Sequence, residues 1–352
     1  MIGKRLKLAR AASGLSLRGL QGALDDLVTA QAIGKYERDE SMPSSGVLLA
    51  LCRALQVTPE YLAGDPALVL EGVEFRKKLV TRRKEEASVQ AQVLQLIERY
   101  LTVESILGLR SQAWEPPRGA PFAVRSLDDA ERAAETVREQ WGLGQDPIPH
   151  LAELLEERGI KVLPLELDDV DGFMAEVSRE GKAIVPVVVV NARAWGERQR
   201  FTLAHELGHL LLRPRSGVDA EAAAHRFAGA FLLPAETLRA QVGRHRQSVS
   251  RGELLELKRL FGISLQALTY RCRDLGIFPD VLFRSLFREF SRRGWRSPPY
   301  KEPGALQPEP RPRRFERLCY RALAEGAISD SKAAELLSIT VRELRSRLAG
   351  TA

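Results

Sequence analysis

The stretch "RQRFTLAHELGHLLLRPRSGVDAEAAAHRFAGAFLLP", residues 198–234, decides how this chain is read. Residues four apart in a helix share a face, so the imidazoles of His205 and His209 can point at one cation. Glu206, one position on, is turned aside from the cation yet reaches a water beside it. That division of labour is the physical content of a His-Glu-x-x-His segment: two nitrogen ligands, and a carboxylate that takes the proton of an activated water. Zinc lowers the pKa of such a water to about 7.

A catalytic site of this kind needs a third protein ligand and an open position. Glu221 and His225, again at helical i, i+4 spacing, offer it on the next predicted helix, and the alanines between them let the two helices approach closely. Three of the chain's five histidines fall in this stretch. That concentration weighs against the other reading, a buried amphipathic helix pair whose histidines only hydrogen-bond. Leu203, Leu207, Leu210, Leu211 and Leu212 are expected to form a dry wall behind the site. Gly208 inside a helix costs about 1 kcal/mol relative to Ala, and close approach of another backbone is the expected reason.

Working outward, the period changes upstream. "IKVLPLEL", "GFMAEVS" and "KAIVPVVVVNA" are rich in β-branched residues and bounded by Gly and Asp, which predicts a small sheet. Pro186 predicts an edge strand around 183–190. Extended peptides add to a free edge by main-chain pairing, so this strand is a candidate substrate platform, with a core strand as the other reading. Helices are predicted over 128–141 and 150–159 before the sheet and over 252–276 after the metal helices.

The segments "RQRFTLAHELGH" at 198–209 and "EAAAHRFAGAFLLP" at 221–234, behind strands, resemble the ImmA/IrrE family of metallopeptidases. The resemblance covers about 170–235 and implies a zincin-like α+β peptidase domain. It implies His205, His209 and Glu221 as zinc ligands and Glu206 as general base. The implied activity is limited proteolysis of a helix-turn-helix repressor, in a stress response or in the regulation of a mobile element or phage. The ligand set suits zinc and tolerates manganese. At position 225 the family usually carries Asn or Asp; His225 is then either a partner that orients a ligand imidazole or a ligand in place of Glu221.

Residues 2–63 read as short helices. Ser16 and Thr29 are natural N-caps, Gly14 is a stop and Pro59 is a first-turn residue. "IGKRLKLARAASGLSLRGL", "AQAIGKYERDESMPSSGVLLALCRAL" and "VTPEYL" resemble the XRE (Cro/repressor-like) helix-turn-helix family. The resemblance places the recognition helix at about 29–38. A recognition helix presents its N-terminal part to the major groove, so Thr29, Gln31 and Ala32 are the candidate base contacts and Lys35 and Arg38 the candidate phosphate contacts. Five basic side chains and no acid in the first 24 residues suit a phosphate-facing surface. Gln21 departs from the small residue usual in the second helix, and "DDLV" is an acidic turn.

The whole chain, 352 residues with a net charge of +7, is long enough for several domains. Three scattered cysteines without a Cys-x-x-Cys exclude a thiolate zinc site and point to a reduced, cytoplasmic protein. No apolar run is long enough to span a bilayer, and the basic N-terminus has no signal-peptide core, so no membrane partner is expected. The expected organisation is mainly α and multidomain. An all-α helix-turn-helix domain covers 1–65, a helical connector 66–120, the peptidase domain 121–245, its helical extension 246–296, a loose proline-rich linker 297–313, and a helix-turn-helix-like segment 314–352. In that last segment, helices are predicted over Ser329–Leu337 and Thr340–Leu348. The basic stretch 76–86 reads as a solvated helix face. The expected partners are DNA, a repressor substrate and a second copy of the chain, because repressor-type domains commonly read two half-sites as dimers. A different class of function stays open: a transcription regulator whose peptidase-like domain senses or binds a partner without proteolysis, including the toxin–antitoxin type.

Overall fold

The computed structural model describes residues 2–55, 57–63, 68–71, 83–109, 114–168, 170–179, 182–308 and 311–350. Most of the basic stretch 76–86 lies outside them. The chain is mainly α and forms two compact units, Met1–Ala113 with Ala175–Pro186 and Arg314–Ala352, and Trp114–Met174 with Val187–Arg313.

The first unit opens with five helices, α1 (Gly3–Ala12), α2 (Leu17–Ala23), α3 (Ala30–Glu37), α4 (Ser45–Leu55) and α5 (Pro59–Ala63). They close on one apolar core that includes Leu6, Leu20, Ile33, Leu51 and Leu62. The predicted stops and caps are in place. Gly14 has φ +67°, the Ser16 hydroxyl accepts from Gly19 N, and the Thr29 hydroxyl accepts from Ala32 N. Asp25 and Asp26 are both left-handed, a conformation that Asp tolerates better than most residues, and they turn the chain from α2 into α3. Gln21 bridges two elements. Its Nε2 donates to Asp26 and its Oε1 accepts from Ala30 N, both at 2.8 Å, so it joins the acidic turn to the first turn of α3.

After β1 (Leu68–Glu71), α6 (Arg83–Ile106) packs against α1, and Arg5 pairs with Glu98 at 2.5 Å.

The second unit carries β2 (Phe122–Val124), α7 (Leu127–Gln140), α8 (Leu151–Glu157), β3 (Lys161–Leu165), β4 (Gly172–Arg179), β5 (Lys182–Asn191), α9 (Gly196–Leu211), β6 (Leu212–Pro214) and α10 (Ala220–Leu232). Four more helices complete it: α11 (Ala235–Val242), α12 (Arg251–Phe261), α13 (Leu265–Asp274) and α14 (Asp280–Arg292). Strands β4 and β5 run through both units. β3 pairs parallel with β5 from Lys161↔Val187 to Leu165↔Asn191, and in the first unit β1 pairs antiparallel with β4. The expected edge strand at 183–190 is corrected here: β5 lies between β4 and β3. Pro186 is tolerated because pairing with β3 begins only at Val187, so its missing N–H removes no bond from that ladder. A short parallel pair, β2 with β6, was not predicted.

The proline-rich stretch 297–313 is also corrected, because its described part is anchored rather than loose. Glu302 is buried and accepts from the fully buried Lys258 Nζ at 2.9 Å and from Leu265 N at 2.6 Å. Lys258 also donates to Glu197 at 2.5 Å, and Glu197 accepts from Leu306 N at 2.9 Å. This network ties the start of α9 to α12, α13 and the 302–306 segment.

The chain returns to the first unit as α15 (Arg314–Ala324), α16 (Asp330–Leu337) and α17 (Val341–Leu348). Leu318, Cys319, Ala322 and Leu336 share a core with Tyr100 and Val103 of α6.

Candidate metal centre

Helix α9 is held at several points before it reaches the site. Gln199 donates to Asn191 O at the end of β5, at 2.9 Å. Arg200 donates to Ile148 O at 2.6 Å and to Gly262 O at 3.1 Å. Leu203, Leu207 and Leu211 are fully buried in the main core of this unit, so the apolar wall expected behind the site exists.

Helix α10 crosses α9 at Gly208. A Cβ there would stand 3.2 Å from Phe227 Cδ1 and 3.3 Å from Ala224 Cα, so the second helix approaches closely and a side chain here would press on it. The first turn of α10 is fixed by Asp219, whose carboxylate accepts from Glu221 N and Ala222 N. Its last carbonyls are taken by arginines: Arg138 donates to Phe231 O at 2.6 Å and Arg271 to Leu233 O at 3.0 Å. Burial pushes the Arg138 guanidinium down to about 10, which leaves it charged at neutral pH. Arg271 is in turn held by both oxygens of Glu131 on α7.

This packing brings three predicted residues together. His205 Nε2 and His209 Nε2 are 3.0 Å apart, and the Glu221 carboxylate lies 3.6 Å from the first and 3.5 Å from the second. All three donor groups lie within 4.8 Å of one another. His205 is buried, His209 half-buried, and the Glu221 side chain 47% exposed, so the cluster has a closed back and an open front. Two ring nitrogens face to face at 3.0 Å require one of them to donate, whereas a divalent cation between them takes a lone pair from each. Two imidazoles and a carboxylate are a donor set that suits zinc, and also manganese.

Glu206 is 5% exposed on the same helix, immediately beside this trio. His225 is exposed and stands outside the trio. Its ring lies 4.5 Å from that of His205 between centroids, tilted by 54°, and also stacks on Phe201 at 5.6 Å. Phe201 therefore backs two of the imidazoles, a role missed in the sequence because an aromatic in an apolar helix reads as core. Its place one helical turn before His205 was the available signal.

The predicted DNA-contact residues lie on α3 and its flanks. Thr29, Gln31 and Lys35 are exposed and Ala32 is half-buried, while Ile33 and Gly34 face the core. Arg38 is exposed but engaged with Glu40 at 2.5 and 3.0 Å; that bond holds the Glu40 carboxyl below its usual range and the Arg38 guanidinium above its own.

Residues 155–273 match the peptidase M78 family model, described as an IrrE N-terminal-like domain. The match runs from α8 into α13 and contains α9 and α10 whole. Residues 6–62 match a helix-turn-helix family model, which covers α2, α3 and α4 in full. No curated protein matches the chain. No described helix is long and apolar enough to cross a membrane.

Proposed function

We propose that this chain, which joins a helix-turn-helix DNA-binding domain to an IrrE N-terminal-like domain, is a DNA-binding regulator that works as a metal-dependent endopeptidase on a transcriptional repressor. The observation that carries the reading is the convergence of His205, His209 and Glu221 within 4.8 Å, with the buried Glu206 beside them. The three would hold the ion, and a bound zinc, or manganese in its place, would supply Lewis acidity to a peptide carbonyl and to a water. Glu206 takes the proton from that water and delivers it to the departing amine. Leu203, Leu207 and Leu211 keep bulk water from the back of the site, so the charge that develops during attack is felt in a low dielectric.

The substrate class, a helix-turn-helix repressor, rests on the family resemblance. So does the setting in a stress response or in the control of a mobile element or phage. The N-terminal domain binds DNA through Thr29, Gln31, Ala32 and Lys35, with Arg38 released from Glu40 to meet a phosphate; dimers on paired half-sites are the expected mode. A reduced cytoplasm suits three buried cysteines that form no disulfide.

The test is direct. Full-length protein is loaded with one equivalent of zinc and incubated with a lysate of its host, and new protein N-termini are read by mass spectrometry. The reading expects discrete new termini that disappear with Glu206→Gln. Termini unchanged by Glu206→Gln, in a variant that still holds metal, would remove the enzyme and leave the regulator that senses or binds without cutting.

A further inference from the structure

We propose that α16 and α17 form a second helix-turn-helix and that α17 binds duplex DNA. The geometry comes first. Helix α16 is capped by Ser329, whose hydroxyl accepts from Lys332 N at 3.2 Å, and α17 by Thr340, whose hydroxyl accepts from Glu343 N at 3.1 Å. Three residues join them, Ser338, Ile339 and Thr340, the connection length of a DNA-binding helix pair. Ser338 takes the left-handed conformation, φ +56°, and Ile339 N closes the turn on Ala334 O at 3.0 Å. Ala333, Ala334, Leu336 and Leu344 are buried in one core with residues of α15 and α6. Helix α15 supplies the supporting third helix, and its core continues into α6.

The surface comes second. Helix α16 is spent on packing against α15 and α6, whereas α17 packs chiefly on α16. With Leu344 inward, Arg342 and Arg345 fall on the outward side of α17, and both are exposed. Arg345 is paired with Asp330 at 3.0 Å, but both side chains are exposed, and an exposed pair of this kind is weak and yields readily to a phosphate. A guanidinium near the start of such a helix can take a phosphate or the O6/N7 edge of guanine. The same unit also contains α1–α5, and both α1 and α15 pack on α6. One compact body therefore carries two such helix pairs.

The experiment uses the full chain and a fluorescein-labelled duplex of mixed sequence, with binding followed by anisotropy over a range of salt. Arg342→Ala/Arg345→Ala is compared with Arg292→Ala/Arg293→Ala at the end of α14, which removes the same charge elsewhere. The expected result is a Kd raised about fivefold to tenfold and a log Kd against log salt slope reduced by about two for the α17 variant. The α14 variant is expected to stay near wild type. Arg342→Lys/Arg345→Lys should keep the slope, because point charges suffice for phosphates. Lys35→Ala reads the N-terminal domain separately, so failure of that domain is not mistaken for failure of α17. Equal losses in the α17 and α14 variants, with thermal melts unchanged, would overturn the proposal and leave α17 as a protein-facing helix.

Discussion

His225 is the residue at which two ligand assignments part. Its ring lies against His205, yet the three groups that converge are His205, His209 and Glu221. The expected outcome is that His205→Ala loses its metal. His225→Ala should keep one equivalent, with affinity lowered by about tenfold to a hundredfold, as for a partner that only orients a ligand. Metal content and competition with a chromophoric chelator distinguish them; an empty His225→Ala beside a loaded Glu221→Ala would reverse the assignment. Gly208 makes a second test. Alanine gains about 1 kcal/mol of helix propensity, but its Cβ would press on a fully buried Phe227 ring and on the Ala224 backbone, and overpacking of this kind costs about 1–3 kcal/mol. Gly208→Ala should therefore lower the melting temperature and loosen metal binding together; a more stable variant would contradict the close approach. At this scale the sequence was informative because helical spacing alone places His205 and His209 on one face. It said nothing of Phe201, whose role depends on which helix crosses it.

Elements were legible where their signals are local. Ser16, Thr29, Ser329 and Thr340 all cap the helices they were expected to start, because a cap needs only the next three residues. Elements set by distant partners were not. Nothing near Pro186 reveals that β3 pairs with only one half of β5, and β2 and β6 are three residues each, too short for a periodic pattern. The segment after Ser297 reads as loose from its prolines, yet Glu302 is held by Lys258 of α12. Removing one partner of a buried ion pair costs about 3–5 kcal/mol. Glu302→Ala should show a loss of that order in denaturant melts. A loss under about 1 kcal/mol would mean that the segment is not anchored in solution.

For the molecule as a whole, two buried thiols set an alkaline limit. Burial pushes Cys272 and Cys319 each up to about 12, against about 8.5 in an unfolded chain. With the folded value raised, the unfolded state gives up its protons first. Stability is therefore complete below about pH 8.5 and declines from there toward about pH 12. Melts at neutral pH and near pH 10 should differ in that direction, and Cys272→Ser/Cys319→Ser should flatten the alkaline decline. The cysteine count and spacing excluded a thiolate metal site, but only packing could show that these thiols are sealed. Of function, the sequence offered a candidate metal helix behind a helix-turn-helix domain, and the family models match at both places. The identity of the proposed substrate is a property of another molecule, and no residue here spells it.

The most direct measurement is therefore made in host cells. New protein N-termini are compared between cells expressing wild type and cells expressing Glu206→Gln, with and without DNA damage or oxidative stress. The account predicts new termini within one DNA-binding repressor, present only with wild type. Identical termini under every condition, from proteins that both carry metal, would contradict it.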